Sequence, residues 1–356
     1  MKVTFLGKDL KALIAGIGKF PSLGNFAGAD LIHLQVSEGK ATAYTFGIVL
    51  SKVQVPAEGK MLLLGLDRRG VEGFVSICAD AAKVILTKVD NQVAFASRGR
   101  EALVPASTGQ VYKSPLLKGI SSIAVTKDLA ERMNYLSEVA LNDSSRAELC
   151  CVMLTPDKQA IACNQKTVAL LKTGCKLEGN VAVPLALSRV ASPGDQLFPG
   201  TKETTLRSGI ATYSMPSSVR AQKEYPFGIV RDLAKQSRDE LLAIDGQKFV
   251  TAITECATCL GQLSRTEVIV DMKIAGGKLD IRSTNGGVRF STLVSVLTPD
   301  PAEVEFRAPL EGLKSVLPFI GEKVVFSRGK HGDLFLTVTR GWVLYPCWET
   351  KKGKKK

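Results

Sequence analysis

The sequence predicts an α+β fold made of three repeats of one module, each with two helices packed on antiparallel sheet, and three observations carry that prediction. Three amphipathic helices, Lys8 to Phe20, Lys127 to Ala140 and Gln247 to Gly261, start 119 and 120 residues apart. Each is followed by apolar or alternating segments broken by turn residues, the pattern of antiparallel hairpins. Each pass then closes with a second short helix and a further antiparallel pair. Two helices can cover only one face of such a sheet, so helices and strands segregate into layers. The 356-residue chain, 45% hydrophobic and 23% charged, is long enough for several such cores.

The chain opens with a strand at Met1-Lys-Val-Thr-Phe5. In the first helix Leu10, Leu13, Ile14 and Ile17 recur at helical period and face a core, with Lys8, Lys11 and Lys19 opposite. The second places Leu129, Met133, Leu136 and Ala140 inside and Lys127 outside. The third buries Phe249, Ile253, Cys256 and Leu260 and exposes Lys248, Thr251, Glu255 and Thr258. Hairpins follow at Leu31 to Phe46, Leu149 to Cys163 and Val268 to Thr284, turning at Glu38-Gly39, Pro156-Asp157 and Gly276-Gly277. The second helices are Leu66 to Ala79, Pro184 to Ala191 and Pro309 to Phe319, two of them with proline in the first turn. Closing pairs run over Lys83 to Val104, Thr204 to Tyr213 with a continuation to Arg220, and Lys323 to Pro346. Module boundaries therefore fall near 119 and 238, giving modules 1–119, 120–238 and 239–350 and a tail at 351–356.

The residues that most enzyme classes require are missing. The two histidines, His33 in an apolar strand and His331 in a Lys-His-Gly turn, read as structural. No phosphate loop and no strand-linked Gly-x-Gly-x-x-Gly is present, so neither nucleotide hydrolysis nor dinucleotide binding is indicated. Cys256-Ala-Thr-Cys259 is the one C-x-x-C and falls inside a helix, so it reads as core, as does Cys150-Cys151 in a strand. Asp239-Glu240 reads as solvated charge. No catalytic residue, cofactor or metal is expected. Eight scattered cysteines form no disulfide framework and are read as reduced, hence intracellular. No segment approaches the roughly 18 apolar residues of a membrane span, and the charged start is not a signal peptide.

The charge balance is positive. Lys and Arg outnumber Asp and Glu by 47 to 34, a net +13, and the tail 351–356 holds five of those charges. Such a balance is that of a polyanion-binding surface. The tail reads as a disordered nucleic-acid-attracting segment; a solubilising tail and a nuclear address are the alternatives. Aromatic residues make up 6% and do not interleave with the basic runs, which argues against a single-strand stacking platform.

This order of elements resembles the bacterial-type DNA sliding clamp, the beta subunit of DNA polymerase III, over the whole chain. The resemblance is carried by the Met1-Lys-Val-Thr-Phe5 strand with its helix and by Val181-Ala-Val-Pro184 leading into a second helix. Glu224-Tyr-Pro-Phe-Gly-Ile-Val230 resembles the family's Arg-Phe-Pro-Asp-Tyr turn, and Trp342-Val-Leu-Tyr-Pro-Cys347 its terminal hydrophobic-Met-Pro strand. The chain departs where Asn164-Gln-Lys-Thr-Val168 stands in place of Asp-Gly-His-Arg-Leu. Its basic balance also departs from the commonly acidic chromosomal members, and points to a divergent clamp of the kind a virus of bacteria would carry.

The resemblance implies a ring of six modules, hence a head-to-tail homodimer around double-stranded DNA, acting without catalysis on behalf of a DNA polymerase and a clamp loader. It implies a cytoplasmic, nucleoid-associated protein with no membrane partner. Helices would line the hole, with Lys8, Lys11, Lys19, Arg68, Arg69, Lys127, Arg189, Lys248 and Lys314 toward phosphate, joined by tail residues Lys351, Lys352, Lys354, Lys355 and Lys356. Each helix cation also reads as ordinary solvated charge. The family's partner-peptide pocket would involve Leu149, Val168, Pro226, Val230, Val343, Tyr345 and Pro346, residues that also read as plain core. The competing class is a basic protein that coats DNA without encircling it.

Overall fold

The structure, a computed structural model, describes residues 2–19, 30–47, 49–110, 117, 120–142, 144–164, 167–217, 223–260, 268–299, 303–329, 334–338 and 341–345. His331, Pro346, Cys347, the continuation to Arg220 and the lysine tail lie outside the described residues.

One order of elements recurs three times. The first pass runs β1 (Lys2–Leu6), α1 (Gly7–Gly18), β2 (Leu31–Ser37), β3 (Lys40–Thr45), β4 (Leu50–Pro56), β5 (Glu58–Gly59), β6 (Met61–Asp67), α2 (Arg68–Ser76), β7 (Lys83–Val89), β8 (Gln92–Ser97) and β9 (Arg100–Thr108). The second runs β10 (Ile123–Ala124), α3 (Lys127–Val139), a 3-10 turn at Ser144–Leu149, β11 (Cys151–Thr155), β12 (Gln159–Cys163), β13 (Val168–Lys172), β14 (Val181–Pro184), α4 (Leu185–Val190), β15 (Gln196–Pro199), β16 (Glu203–Ser208) and β17 (Ala211–Pro216). After α5 (Phe227–Lys235), the third runs β18 (Arg238–Asp245), α6 (Gly246–Leu260), β19 (Ile269–Ala275), β20 (Lys278–Asn285), β21 (Val288–Ser295), β22 (Glu305–Pro309), α7 (Leu310–Val316), a 3-10 turn at Leu317–Phe319, β23 (Lys323–Gly329), β24 (Leu334–Val338) and β25 (Gly341–Tyr345).

The predicted helical stripes are the buried ones. Leu10, Leu13 and Ile17 of α1, Met133 and Leu136 of α3, and Phe249, Ile253, Cys256 and Leu260 of α6 are each at most 1% exposed. Each such aliphatic side chain contributes about 1.5–3 kcal/mol on leaving water.

The repetition extends to how the first helix begins. The Gly7 N–H donates to the Ala82 carbonyl at 2.8 Å, and a Cβ on Gly7 would collide with the Ala79 carbonyl. In the third pass the Gly246 N–H donates to the Glu322 carbonyl at 2.8 Å, and a Cβ there would collide with the Gly321 carbonyl. In both, the loop after the second helix satisfies a backbone donor at the first helix's N-terminus, and only glycine lets it approach.

The chain forms two compact units, Met1–Ala130 with Ala186–Val219, and Glu131–Leu185 with Arg220–Lys356. Within the first, a 13-stranded sheet runs in the order β10-β15-β16-β17-β4-β3-β2-β6-β9-β8-β7-β1-β5 among the described residues. The seam between the two passes in it is β17 against β4, from Ala211 opposite Val53 to Ser214 opposite Leu50. Within the second unit, an 8-stranded sheet runs β14-β11-β12-β13-β25-β24-β23-β18, beside a 4-stranded one, β21-β20-β19-β22. Here the seam is β13 against β25, from Val168 opposite Leu344 to Leu171 opposite Gly341. Strands of the second pass thus continue the sheets of both the others.

Several details differ from the sequence reading. Leu66, read as the start of a second helix, lies in β6, and Cys150, read as buried strand, stands just before β11 and is only partly buried. Pro184 and Pro309 end strands β14 and β22 rather than starting helices, because the peptide after each turns directly into α4 and α7. Leu149 closes a 3-10 turn instead of opening a strand. Phe227 to Lys235, within and beyond the stretch read as an exit turn, is a helix that buries Val230. Cys259 is exposed, one position round α6 from the buried stripe that holds Cys256.

Candidate nucleic-acid interface and partner groove

The helix cations are unevenly placed. In α1, Lys8 is exposed, while the Lys11 ammonium lies 2.7 Å from the Asp80 carboxylate. Lys19, just past the helix, stands 5.6 Å from the Tyr213 ring centroid. Asp67 caps α2 by accepting from the Gly70 N–H at 2.7 Å, which sets Arg68 and Arg69 on the first turn. Arg68 then pairs with Glu72 one turn on, at 2.7 Å, and Arg69 is exposed.

Elsewhere the balance changes. Lys127 and Arg189 are exposed at the start of α3 and the last turn of α4. The outer side of α3 also carries Glu131 and Glu138, and Arg132 on the same helix is buried at 4% exposure. In α6, Asp245 accepts from the Lys248 N–H at 2.9 Å, and the solvent face holds Lys248, Thr251, Thr254, Glu255 and Thr258, which is neutral. In α7, Lys314 pairs with Glu311 at 2.8 Å. Lys11, Arg68 and Lys314 therefore already face carboxylates, whereas Lys8, Lys19 and Arg69, in or beside α1 and α2, are exposed. Spacing along the sequence cannot show the Lys11 partner, since Asp80 lies 69 residues away.

Three residues expected in the partner pocket do come together. Leu149, Val168 and Val230 join one apolar cluster with Cys151, Cys163, Tyr225, Phe335 and Trp342. Its outer layer, only partly buried, is Leu141, Val168, Phe227 and Leu233. Pro226 is the residue before α5, half-buried beside this layer. Val343 does not join. It is fully buried opposite Ala169, whereas its neighbour Trp342 is in the cluster, because successive strand residues face opposite sides of a sheet. Tyr345 pairs with Leu334 at the end of β25, and Pro346 lies outside the described residues.

The cluster combines aliphatic, sulfur and aromatic side chains, with one cation, Arg238, stacked on it. Tyr225 and Phe227 pack with ring centroids 5.0 Å apart, and Phe335 and Trp342 meet edge to face at 5.6 Å. The Arg238 guanidinium lies 4.0 Å from the Phe335 centroid and 4.8 Å from that of Trp342, and donates to the Leu233 carbonyl at 3.2 Å. The Cys163 thiol donates to the Tyr225 hydroxyl at 3.5 Å. Burial pushes the Cys151 thiol up to about 12 and holds the Cys163 thiol and the Tyr225 phenol above their usual ranges. These groups stay protonated at neutral pH, and their chemistry is that of packing.

Asn164 organises the turn into β13, its amide donating to the Val139 carbonyl at 2.8 Å while its side-chain oxygen accepts from the Thr167 N–H at 2.7 Å. Sequence reading missed Leu141, Phe227 and Leu233; the apolar face of α5 was the available signal. His33 is 2% exposed and accepts at Nδ1 from the Gln110 N–H at 3.1 Å, a structural tie. Among the described residues no group of three or more His, Cys, Asp or Glu could hold a metal ion, and no helix is long and apolar enough to cross a membrane.

No protein-family model and no curated protein sequence matches the chain. Solved structures do. The DNA polymerase sliding clamp from Bacillus subtilis superposes with a TM-score of 0.83 at 13% identity, covering 99% of this chain and 100% of that one. The Caulobacter crescentus pol III beta gives 0.79 at 15% identity, covering 98% and 100%. The Helicobacter pylori beta clamp bound to a DNA ligase peptide gives 0.77 at 12% identity, covering 98% and 100%. Little sequence is shared, but the match runs the length of both chains, and the chain has the fold of the bacterial DNA polymerase III beta sliding clamp.

Proposed function

We propose that this chain is a DNA sliding clamp, a processivity factor that encircles duplex DNA as a head-to-tail homodimer and tethers the replicative polymerase and other DNA enzymes. The observation that carries this reading is the clamp fold over 98–99% of the chain, including likeness to a clamp solved with a ligase peptide. Leaving α5 aside, modules 1–119, 120–238 and 239–350 each contribute two helices, so two chains supply the twelve that line the hole. Lys8, Lys19 and Arg69 lead the contact with phosphate, which attracts without fixing a register and so permits sliding.

The partner groove is the outer layer of the apolar cluster, Leu141, Val168, Phe227 and Leu233. A peptide anchored there holds its enzyme near the primer end by raising effective concentration. Two copies join through the free edge of β21, where Leu293 is 59% exposed, and the part of β9 around Leu103, which is 55% exposed. Open sheet edges bearing apolar side chains are what pairing between chains consumes. The protein is a tether and not an enzyme, works in the cytoplasm at the nucleoid, and is placed on DNA by a clamp loader.

The test is topological. Single-particle class averages of the purified protein should show a six-lobed ring, and protein loaded on circular DNA should dissociate once the circle is linearised. Compact particles without a hole, or equal retention on linear and circular DNA, would favour a coating protein and overturn the proposal.

A further inference from the structure

The helix-free face of the first unit carries a second basic feature. Val53 of β4 packs toward α1, Tyr213 of β17 bonds to α1, and Leu206 of β16 is fully buried. By alternation Lys52, Thr212 and Arg207 point to the opposite face. There they line a groove of about 700 Å³ with Lys40, Gln54 and Ile210. Its described lining holds three cations and no carboxylate.

The cations trace a bent path, first across the strands and then along them. Arg207 is in register with Thr212, and Thr212 with Lys52, so Arg207 and Lys52 sit two strands apart, roughly 10 Å at the backbone. Lys40 lies four residues from Tyr44, the partner of Lys52, about 13 Å further along the strand direction. Arg207 is held in place over the Phe198 ring, 5.2 Å from its centroid. We infer that this groove binds one strand of nucleic acid through its phosphates, on the sheet face opposite the helices.

Charge complementarity selects a polyanion, and the strands beneath select its kind. β4 is paired on both sides, by β3 and β17, and β17 by β16 and β4. No backbone edge is open for an extended acidic peptide to pair with, whereas phosphates need only positive charge and tolerate any sequence. The inference stands whether or not two chains close into a ring.

The test titrates a fluorescein-labelled oligothymidylate into the full-length protein over a range of salt. K40Q/K52Q/R207Q should bind more weakly, with a slope of log affinity against log salt shallower by about 2, from roughly 0.7 per phosphate contact on single strands. R207Q alone should produce about a third of that change, and R207K, which keeps the charge, almost none. Unchanged slopes in R207Q and in the triple variant would overturn the inference. Displacement of the oligonucleotide by polyglutamate at equal charge concentration would overturn it too, by assigning the groove to acidic peptides.

Discussion

The Tyr213 hydroxyl donates a hydrogen bond to the Gly16 carbonyl at 2.8 Å, joining β17 to α1 across 197 residues of sequence. Gly16 lies tight against the sheet, since a Cβ there would press on a Val53 methyl at 2.8 Å. Tyr213 is fully buried, and burial together with the Asp195 charge pushes its phenol up to about 12. Y213F should therefore lose about 1–2 kcal/mol at neutral pH, as a buried carbonyl is left without its donor. The phenol's raised value also gives a pH signature. Its stabilisation is fully present below the unfolded value near 10 and is lost as pH rises toward 12. Denaturant unfolding between pH 8 and 12 should show the two proteins converging at the alkaline end.

Neutralising cations should separate the helices. K8Q/K19Q/R69Q should flatten the salt dependence of duplex binding by about 2.7, at roughly 0.9 per phosphate contact on duplex DNA. K314Q should change it little, because Lys314 shares its charge with Glu311 at 2.8 Å. Equal effects of all four substitutions would refute the uneven charge distribution as the basis of binding.

The tail makes a parallel contribution. Deleting Lys351 to Lys356 removes five positive charges and should also flatten the salt slope, without altering the melting temperature. An unchanged slope would reduce the tail to a solubilising segment.

Phe227 is only partly buried, on the outer layer of the apolar cluster and 5.0 Å from Tyr225. F227A should weaken binding of a polymerase-derived peptide by about 2 kcal/mol or more, the scale of an aromatic hot spot, with a smaller effect on stability. W342A, by contrast, empties the core beneath and should destabilise by about 3–5 kcal/mol. Calorimetric titration and thermal unfolding distinguish the two roles.

Leu293 lies in β21, the end strand of its sheet. L293E should shift the protein toward monomer in sedimentation at micromolar concentration while its circular dichroism stays unchanged. A dimer that survives this substitution places the contact elsewhere.

Much of the architecture is local and so was legible in the residues. The stripes Leu10-Leu13-Ile17 and Phe249-Ile253-Cys256-Leu260 announce helices because burial at period 3.6 needs only neighbours within the same segment. Their regular spacing exposes the repeat for the same reason. Tertiary structure decided what depends on distant partners. Pairing of β13 with β25 puts Trp342 in the cluster and Val343 on the far side, and a slip of one residue would have reversed them. Pairing of β17 with β4 aligns Arg207 with Lys52 through Thr212. The fold likewise carries Asp80 to Lys11, so that a cation read as open to phosphate already has a counter-charge. Periodicity states which side of an element is buried. Register and chain crossing, whose free energies come from residues far apart in sequence, state what lies against it.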